Sequence, residues 1–449
     1  LPLAKSAVEL DPDFAMAHLY LARAYEWRGD QGNAERNMSQ ARQHLDRVTE
    51  RERYLILATG YEFQGLYEKE AEQYRLLTEV YPDDLEGHRG LADASVWMGR
   101  PEDAVPAERR AIALAPHSAI DHQRLILYLN RLNRFSEALQ AYTAARANGS
   151  RSPLLHWGAG LAELGQDNPA GARQEFELLR KEGGPYEDSL ANLSQARVLM
   201  YEGRLSEATE TLRSGLILDE KLRQDIWIPV SLDLIARLLE TRGQQRAARE
   251  VVERLSVAAL KDLRPGDLRR AGRLMVRVGE SKSARKLLER LNALNAQSGG
   301  GYTQSCFYNL KGILEMSEGN AKAAIESERR AIVFFPSYDG YAALADALAA
   351  SHEWPAAAQA YQQYLSRKGE VFGDDSPSDW VLAHLALARV LAKAGDTTQA
   401  LDFYDEFLRR WAHADPDLLA LREARAERTQ LSKMLAANTP MAKVIPQAR

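Results

Sequence analysis

The chain has 449 residues, of which 45% are apolar, 8% aromatic and 27% charged, ample material for a folded core. Its 63 acidic residues outnumber 58 basic ones for a net charge of −5, which removes any global electrostatic case for nucleic acid. The one cysteine, Cys306, can close no internal disulfide and cannot alone make a thiolate metal site, and no apolar run approaches the ~18 residues that a membrane crossing requires.

Self-similarity organises the rest and has to be read before any local pattern. Ala7-Val-Glu-Leu-Asp-Pro12 reads as the second half of a helix. Residues 1–14 are therefore expected to be the end of a truncated repeat whose first helix lies upstream of Leu1. A three-point pattern then recurs: a small residue, a glycine seven positions on, and an alanine five further. It appears as Ala92…Gly99…Ala104, Ala196…Gly203…Ala208, Ala236…Gly243…Ala248, Gly272…Gly279…Ala284, Gly312…Gly319…Ala324 and Ala388…Gly395…Ala400. With the small residue as position 8, repeats start at 15, 51, 85, 119, 153, 189, 229, 265, 305, 338 and 381. About eight of them fill 15–296 and about three fill 302–417. The repeats at 51, 85 and 305 close on Pro82, Pro116 and Pro336.

Each unit reads as two helices, A and B. Apolar residues recur at helical spacing, as in Leu125, Leu129 and Leu132. Small residues at positions 8 and 20 let A and B approach closely. Glycine at 15 ends helix A in a conformation that a Cβ resists, and proline stops helix B because it lacks an N–H. Three stretches interrupt the period: Lys181–Pro185 and Gln297–Ser298–Gly299–Gly300–Gly301 as Gly-rich turns, and Arg367–Asp379 as a longer acidic loop. The 297–301 stretch is the expected joint between two sub-arrays. Residues 418–435 read as a lone capping helix with Leu421, Ala424, Leu431 and Leu435 on one face and Glu423 and Glu427 off it, and 436–449 as a tail.

This pattern resembles the tetratricopeptide repeat, with small residues at positions 8 and 20, Gly at 15, an aromatic near 24 and Pro at 32, over about nine tenths of the chain. The resemblance implies an all-α fold: a right-handed superhelical solenoid of about eleven repeats plus a C-terminal capping helix, with A helices lining a concave groove.

Catalytic and metal chemistry find little support. His18, His88, His122, His156 and His384 all fall at position 4 of their repeats, so one packing role accounts for all five, and no metal-binding His spacing occurs. Ser283-Ala-Arg-Lys286 matches S-x-x-K without its partner motifs. Gly158-Ala-Gly160 is an incomplete dinucleotide fingerprint whose next Gly is replaced by Glu163. Asp374-Asp375 lacks the Gly and distal Glu of a calcium loop and reads as solvated. Cys306 reads as a small apolar filler. Neither an enzymatic activity nor a cofactor is expected.

Binding candidates follow from the groove positions that the resemblance implies, namely 2, 5, 9 and 12. Position 9 holds Arg23, Arg197, Arg237, Arg273 and Arg389, and the middle three form a ladder of guanidinium groups; Arg89 at position 5 adds charge. Such a row suits an acidic peptide or carboxylate. Asp233 and Glu240, at positions 5 and 12 of the repeat of Arg237, offer internal pairing instead. Trp27 and Trp97, both at position 13, flank the groove. Asn309 stands at position 5 without the Lys that a carboxylate clamp for chaperone tails pairs with it.

Two stretches narrow the resemblance. One is Val48-Thr-Glu-Arg-Glu-Arg-Tyr54 with Tyr61-Glu-Phe-Gln-Gly65 and Glu79-Val-Tyr-Pro-Asp83. The other runs from Leu382-Ala-His-Leu-Ala-Leu-Ala388 through Ala394-Gly-Asp396, Tyr404, Phe407-Leu408 and Trp411 to Asp415-Pro-Asp417. Together they resemble the C-terminal repeat region of bacterial serine/threonine protein kinases of the eukaryotic type, although no kinase motif occurs here. Similar regions follow winged-helix domains in bacterial regulators. The implied function is non-catalytic: a protein- or peptide-binding scaffold, the docking or sensory region of a larger signalling protein, with an acidic segment as partner. The alternatives are the effector region of a winged-helix regulator or a self-assembling array. No direct nucleic-acid contact is expected. The cytoplasm is the favoured compartment, and a membrane segment before Leu1 would make it the periplasm.

Overall fold

The computed structural model describes residues 1–438 apart from 27, 29, 223–226 and 263; among them are 25 α-helices, one 3₁₀ turn at Leu45–Arg47 and no strand. Helix Pro2–Leu10 precedes eleven antiparallel pairs. These begin with Ala15–Glu26 against Gln31–Gln43 and end with Pro377–Ala394 against Thr397–Arg410. Helix Leu419–Asn438 packs on the last pair and takes in residues 436–438. The rest of the stretch read as a tail, 439–449, lies outside the described residues.

The pairs are held by what their small residues permit. Ala104, Ala208, Ala248, Ala284, Ala324 and Ala400, all at position 20, are each no more than 1% exposed. At Gly158 and Gly160, the pair that mimics a nucleotide fingerprint, an added Cβ would run into Ile126 and Phe176. These glycines serve close packing. Position 15 is left-handed in all ten repeats where it is described, with φ from 56° to 88°. Seven of the ten are glycine; the others are Asn133, Asp167 and His352, three of the side chains that tolerate this region best. The position-4 histidines have a shared bond as well: the Nε2–H groups of His18, His88 and His122 donate to the carbonyls of Pro12, Pro82 and Pro116 at 2.8, 2.8 and 2.9 Å. Each ties the start of an A helix to the end of the preceding segment.

The array coils until later repeats lie against earlier ones. Gly300 sits on Gly65 so closely that a Cβ would overlap the carbonyl of Gly65. The stretch 297–301 is thus a two-residue link between helices Ser281–Ser298 and Gly301–Ser317 and a contact point at once. Trp97 meets Tyr302 edge-on at 5.5 Å. Farther along, the Gly369 N–H donates to Asn133 Oδ1 at 2.7 Å, and Lys368 and Arg410 reach Asp167 at 2.5 and 2.9 Å. Asp415 accepts from the backbone N–H and hydroxyl of Ser206, both at 2.8 Å, and so caps helix Leu205–Leu222 from the far end of the chain. Asn133 and Asp167 stand at position 15 and use there the side chains that glycine lacks.

Arg367–Asp379 departs from the expected open loop. It folds as helix Lys368–Asp374, most of it buried, followed almost at once by helix Pro377–Ala394. Its site is tight, since a Cβ at 369 would overlap the Asn130 carbonyl, whereas Gly373 faces open space. Gly369→Ala is expected to lower the melting temperature and swell the radius of gyration seen by small-angle scattering. Gly373→Ala in the same helix should stabilise by about 0.5–1 kcal/mol. Equal behaviour of the two variants would contradict this contact.

Candidate functional site

The three ladder arginines lie on successive A helices, Pro185–Tyr201, Ile228–Thr241 and Pro265–Arg277, facing the segment that fills the groove. Arg237 is 1% exposed and holds three carboxylates: Asp233 and Asp379 at 2.9 Å each, and Asp375. Arg273 shares Asp339 with Arg269. Burial raises the Asp339 carboxyl, but the two guanidinium groups outweigh it and hold the carboxyl well below the usual range. Asp233 is the internal partner that its position predicts. Asp339, Asp375 and Asp379 come from distant repeats. The Asp374-Asp375 pair, read as a solvated loop, is instead engaged: Asp374 pairs with Arg131 at 2.6 Å, and Asp375 is buried on the ladder. Opposite charges recruit each other across the coil.

Arg197 differs from its neighbours. It is 3% exposed, forms no ion pair among the described residues, and its buried Nε has no partner. Burial pushes its guanidinium down to about 10, with Asp374 opposing.

The other expected groove residues are engaged locally. Arg23 donates to Thr59 Oγ1 at 2.8 Å and Tyr74 OH at 3.2 Å and lies 3.9 Å from Glu86. Arg89 grips Asp121 with two bonds of 2.8 Å. Arg389 pairs with Glu423 and Glu427 at 2.8 and 2.9 Å, so the off-face glutamates of the capping helix have a task. Asn309 is 2% exposed and donates to Glu328 at 2.8 Å; it does not reach the groove surface. Trp97 is 46% exposed and stacks on Tyr67 with ring centroids 5.7 Å apart. Trp27 lies outside the described residues.

The first three repeats gather carboxyl groups instead: Glu26 is exposed, Glu62 half-buried and Glu70 buried, and Asp93 beside them pairs with Arg124. Burial, with Glu26 alongside, raises Glu62 to about 7, and burial with Glu62 and Asp93 nearby raises Glu70 to about 9. Glu70 is 3% exposed and its Oε2 has no partner. The register offered the signal for this cluster, since Glu26 and Glu62 occupy position 12 and Asp93 position 9. A tally of arginines at position 9 passes over it. No group of His, Cys, Asp and Glu among the described residues is arranged to hold a metal ion, and no helix there is long and apolar enough to cross a membrane.

A coil of antiparallel helix pairs with a charged inner face defines a helical-repeat scaffold. The family model of the tetratricopeptide repeat matches two stretches of the chain, residues 124–188 and 342–415. No curated protein matches the sequence. Among solved structures, yeast Tom70 is 12% identical, over 95% of this chain and 99% of that one, with a TM-score of 0.40. Human IFIT1, solved as a dimer with m7Gppp-AAAA, is 14% identical over 89% of this chain and 90% of that one, with a TM-score of 0.45.

Two outcomes follow. Arg237→Ala leaves three carboxylates around an uncompensated site and should cost about 3–5 kcal/mol, read by urea unfolding; a loss under about 1 kcal/mol would contradict the pairing. Glu70 keeps its proton to about pH 9 when folded but ionises near its ordinary value of 4.5 when unfolded. Its contribution is therefore fully present below about pH 4.5 and is lost as pH rises toward 9. Glu70→Gln should raise the melting temperature at pH 8 and leave it nearly unchanged at pH 4.

Proposed function

We propose that the chain is a non-catalytic scaffold that holds a segment of a partner protein along the concave face of its first three repeats. The observation that carries this reading is the division of the inner surface. The arginine side is covered by the chain's own residues 339–379, while exposed Glu26, half-buried Glu62 and half-exposed Trp97 remain on the acidic side. Carboxylates beside an aromatic face favour cations through ion pairing and contact with the ring. The partner segment is accordingly basic rather than acidic, the reverse of what the ladder implies while its pairing is unknown. Helical-groove readers take such segments by combining side-chain pockets with charge.

The two kinase-like stretches support placing this array in a larger signalling protein, as its docking or sensory region, or as the effector region of a winged-helix regulator; the gene sequence before Leu1 decides between them. A second reading, end-to-end self-assembly, draws on Leu3 and Leu10, which are 87% and 89% exposed on helix Pro2–Leu10. Light scattering over a concentration series separates it from a monomeric binder.

The direct test is fluorescence anisotropy with a labelled lysine- and arginine-rich peptide and an acidic peptide of equal length. The basic peptide should bind, and Glu26→Lys with Glu62→Lys should weaken it by about tenfold or more, that is about 1.4 kcal/mol. The salt dependence should flatten as well. Binding of the acidic peptide alone, or an unchanged affinity in the double variant, would sink the proposal.

A further inference from the structure

The pentad Glu-Arg-Arg-Ala-Ile occurs twice, at 108–112 and 328–332. In both copies the glutamate stands at position 24 of its repeat, where the pattern expects an aromatic, on B helices Pro101–Leu114 and Ala321–Phe334. Both are buried, Glu108 at 0% and Glu328 at 1% exposure. A carboxylate in that setting is unfavourable unless a cation answers it.

In the first copy the answer comes from the next repeat. Arg124, the sixth residue of helix Ala119–Arg131, brings its Nε to 3.4 Å from Glu108 Oε2 and also pairs with Asp93. Its Nη2 donates to the carbonyl of Arg89 at 3.0 Å. Burial raises Glu108 to about 8, with Arg124 pulling the other way.

In the second copy the corresponding residue is Ala343, again sixth in its helix, Tyr338–Ala350, and again following a serine N-cap, Ser337 in place of Ser118. Where Arg124 fills the first site, the second has a cavity of about 230 Å³ with Ala343, Glu328 and Asp346 in its wall and Val276, Ile313 and Met316 around them. Val276, Ile313, Met316 and Asp346 stand at groove positions 12, 9, 12 and 9 of three successive repeats. Glu328 is set in place: Oε2 accepts from Asn309 at 2.8 Å, Oε1 is buried without a partner, and the missing side chain of Gly312 makes its room. Asp346 accepts from Tyr361 OH at 2.5 Å. Burial raises both carboxyls above their usual range. The cations whose charge acts on them are held elsewhere, Arg269 by Asp339 and Arg277 by Glu240 at 2.6 Å.

We propose that this cavity takes a guanidinium group, the side chain of an arginine elsewhere in the partner protein, which supplies in trans what Arg124 supplies in cis. The apolar walls suit the aliphatic stem, and two carboxyl groups suit a planar fork of donors better than a point-like ammonium. The inference rests on the scaffold reading for its source of arginine, but the pocket can be tested without any partner.

The probe is Nα-acetyl-arginine amide, with the citrulline analogue as its neutral isostere, titrated into the full chain carrying ¹³C-methyl methionine. The Met316 methyl resonance should shift saturably with the arginine probe and not with citrulline. Glu328→Gln should lose the shift. Ala343→Arg should lose it too while raising the melting temperature, because the pocket is then filled from within. An unmoved Met316 signal, or equal shifts with citrulline, overturns the pocket. A pocket that responds while the basic peptide fails to bind overturns the scaffold reading alone.

Discussion

The burial of Arg237 by Asp233, Asp375 and Asp379 is the interaction on which the inner surface depends. Helix Lys368–Asp374 has seven residues, far too few to persist alone in water, where isolated helices shorter than ~12–15 residues are marginal. It exists because it is docked. Gly369 lies under the Asn130 carbonyl, Lys368 reaches the Gly165 carbonyl and Asp167, and the aspartates that follow enter the arginine ladder. Charge pulls the segment in, and close backbone packing excludes the water that would otherwise screen the charges. A helical array that could have stayed an open trough is thereby closed across its middle.

The repeats themselves were legible because their rules are local. A methyl group at a crossing, a left-handed residue after helix A and a helical apolar period each act within one unit, and each recurs. Even the exceptions at position 15 keep the backbone rule, since Asn133, Asp167 and His352 adopt the glycine conformation. What could not be read is the register of the coil. Nothing near Arg237 in sequence announces Asp375, and nothing near Ser206 announces Asp415, because the spacing between turns is set by small rotations summed over many repeats. The acidic character of 367–379 was visible, but its role as the ladder's counter-charge depends on where the coil returns.

The candidate site shows the same boundary. Asp233 was legible as a partner of Arg237 from its place one helical turn away. The acidic cluster around Glu62 and Glu70 was also written in the register, at groove positions 9 and 12, but its weight emerges only once the arginines are seen to be occupied. Groove charge is a property of what remains unpaired, so a count of basic residues along the inner face does not by itself give its sign. Buried glutamates at position 24 follow the same logic, with one answered by Arg124 and the other facing a cavity.

Hydrogen–deuterium exchange across residues 368–379 tests the closure most directly. A helix this short has no protection of its own, so slow exchange there can come only from docking. The account predicts amides in this segment as slow as those of helix Ile228–Thr241, and a loss of that protection in Arg237→Ala. Exchange at the rate of an unstructured peptide in the native chain would contradict it and return the arginine ladder to the open groove.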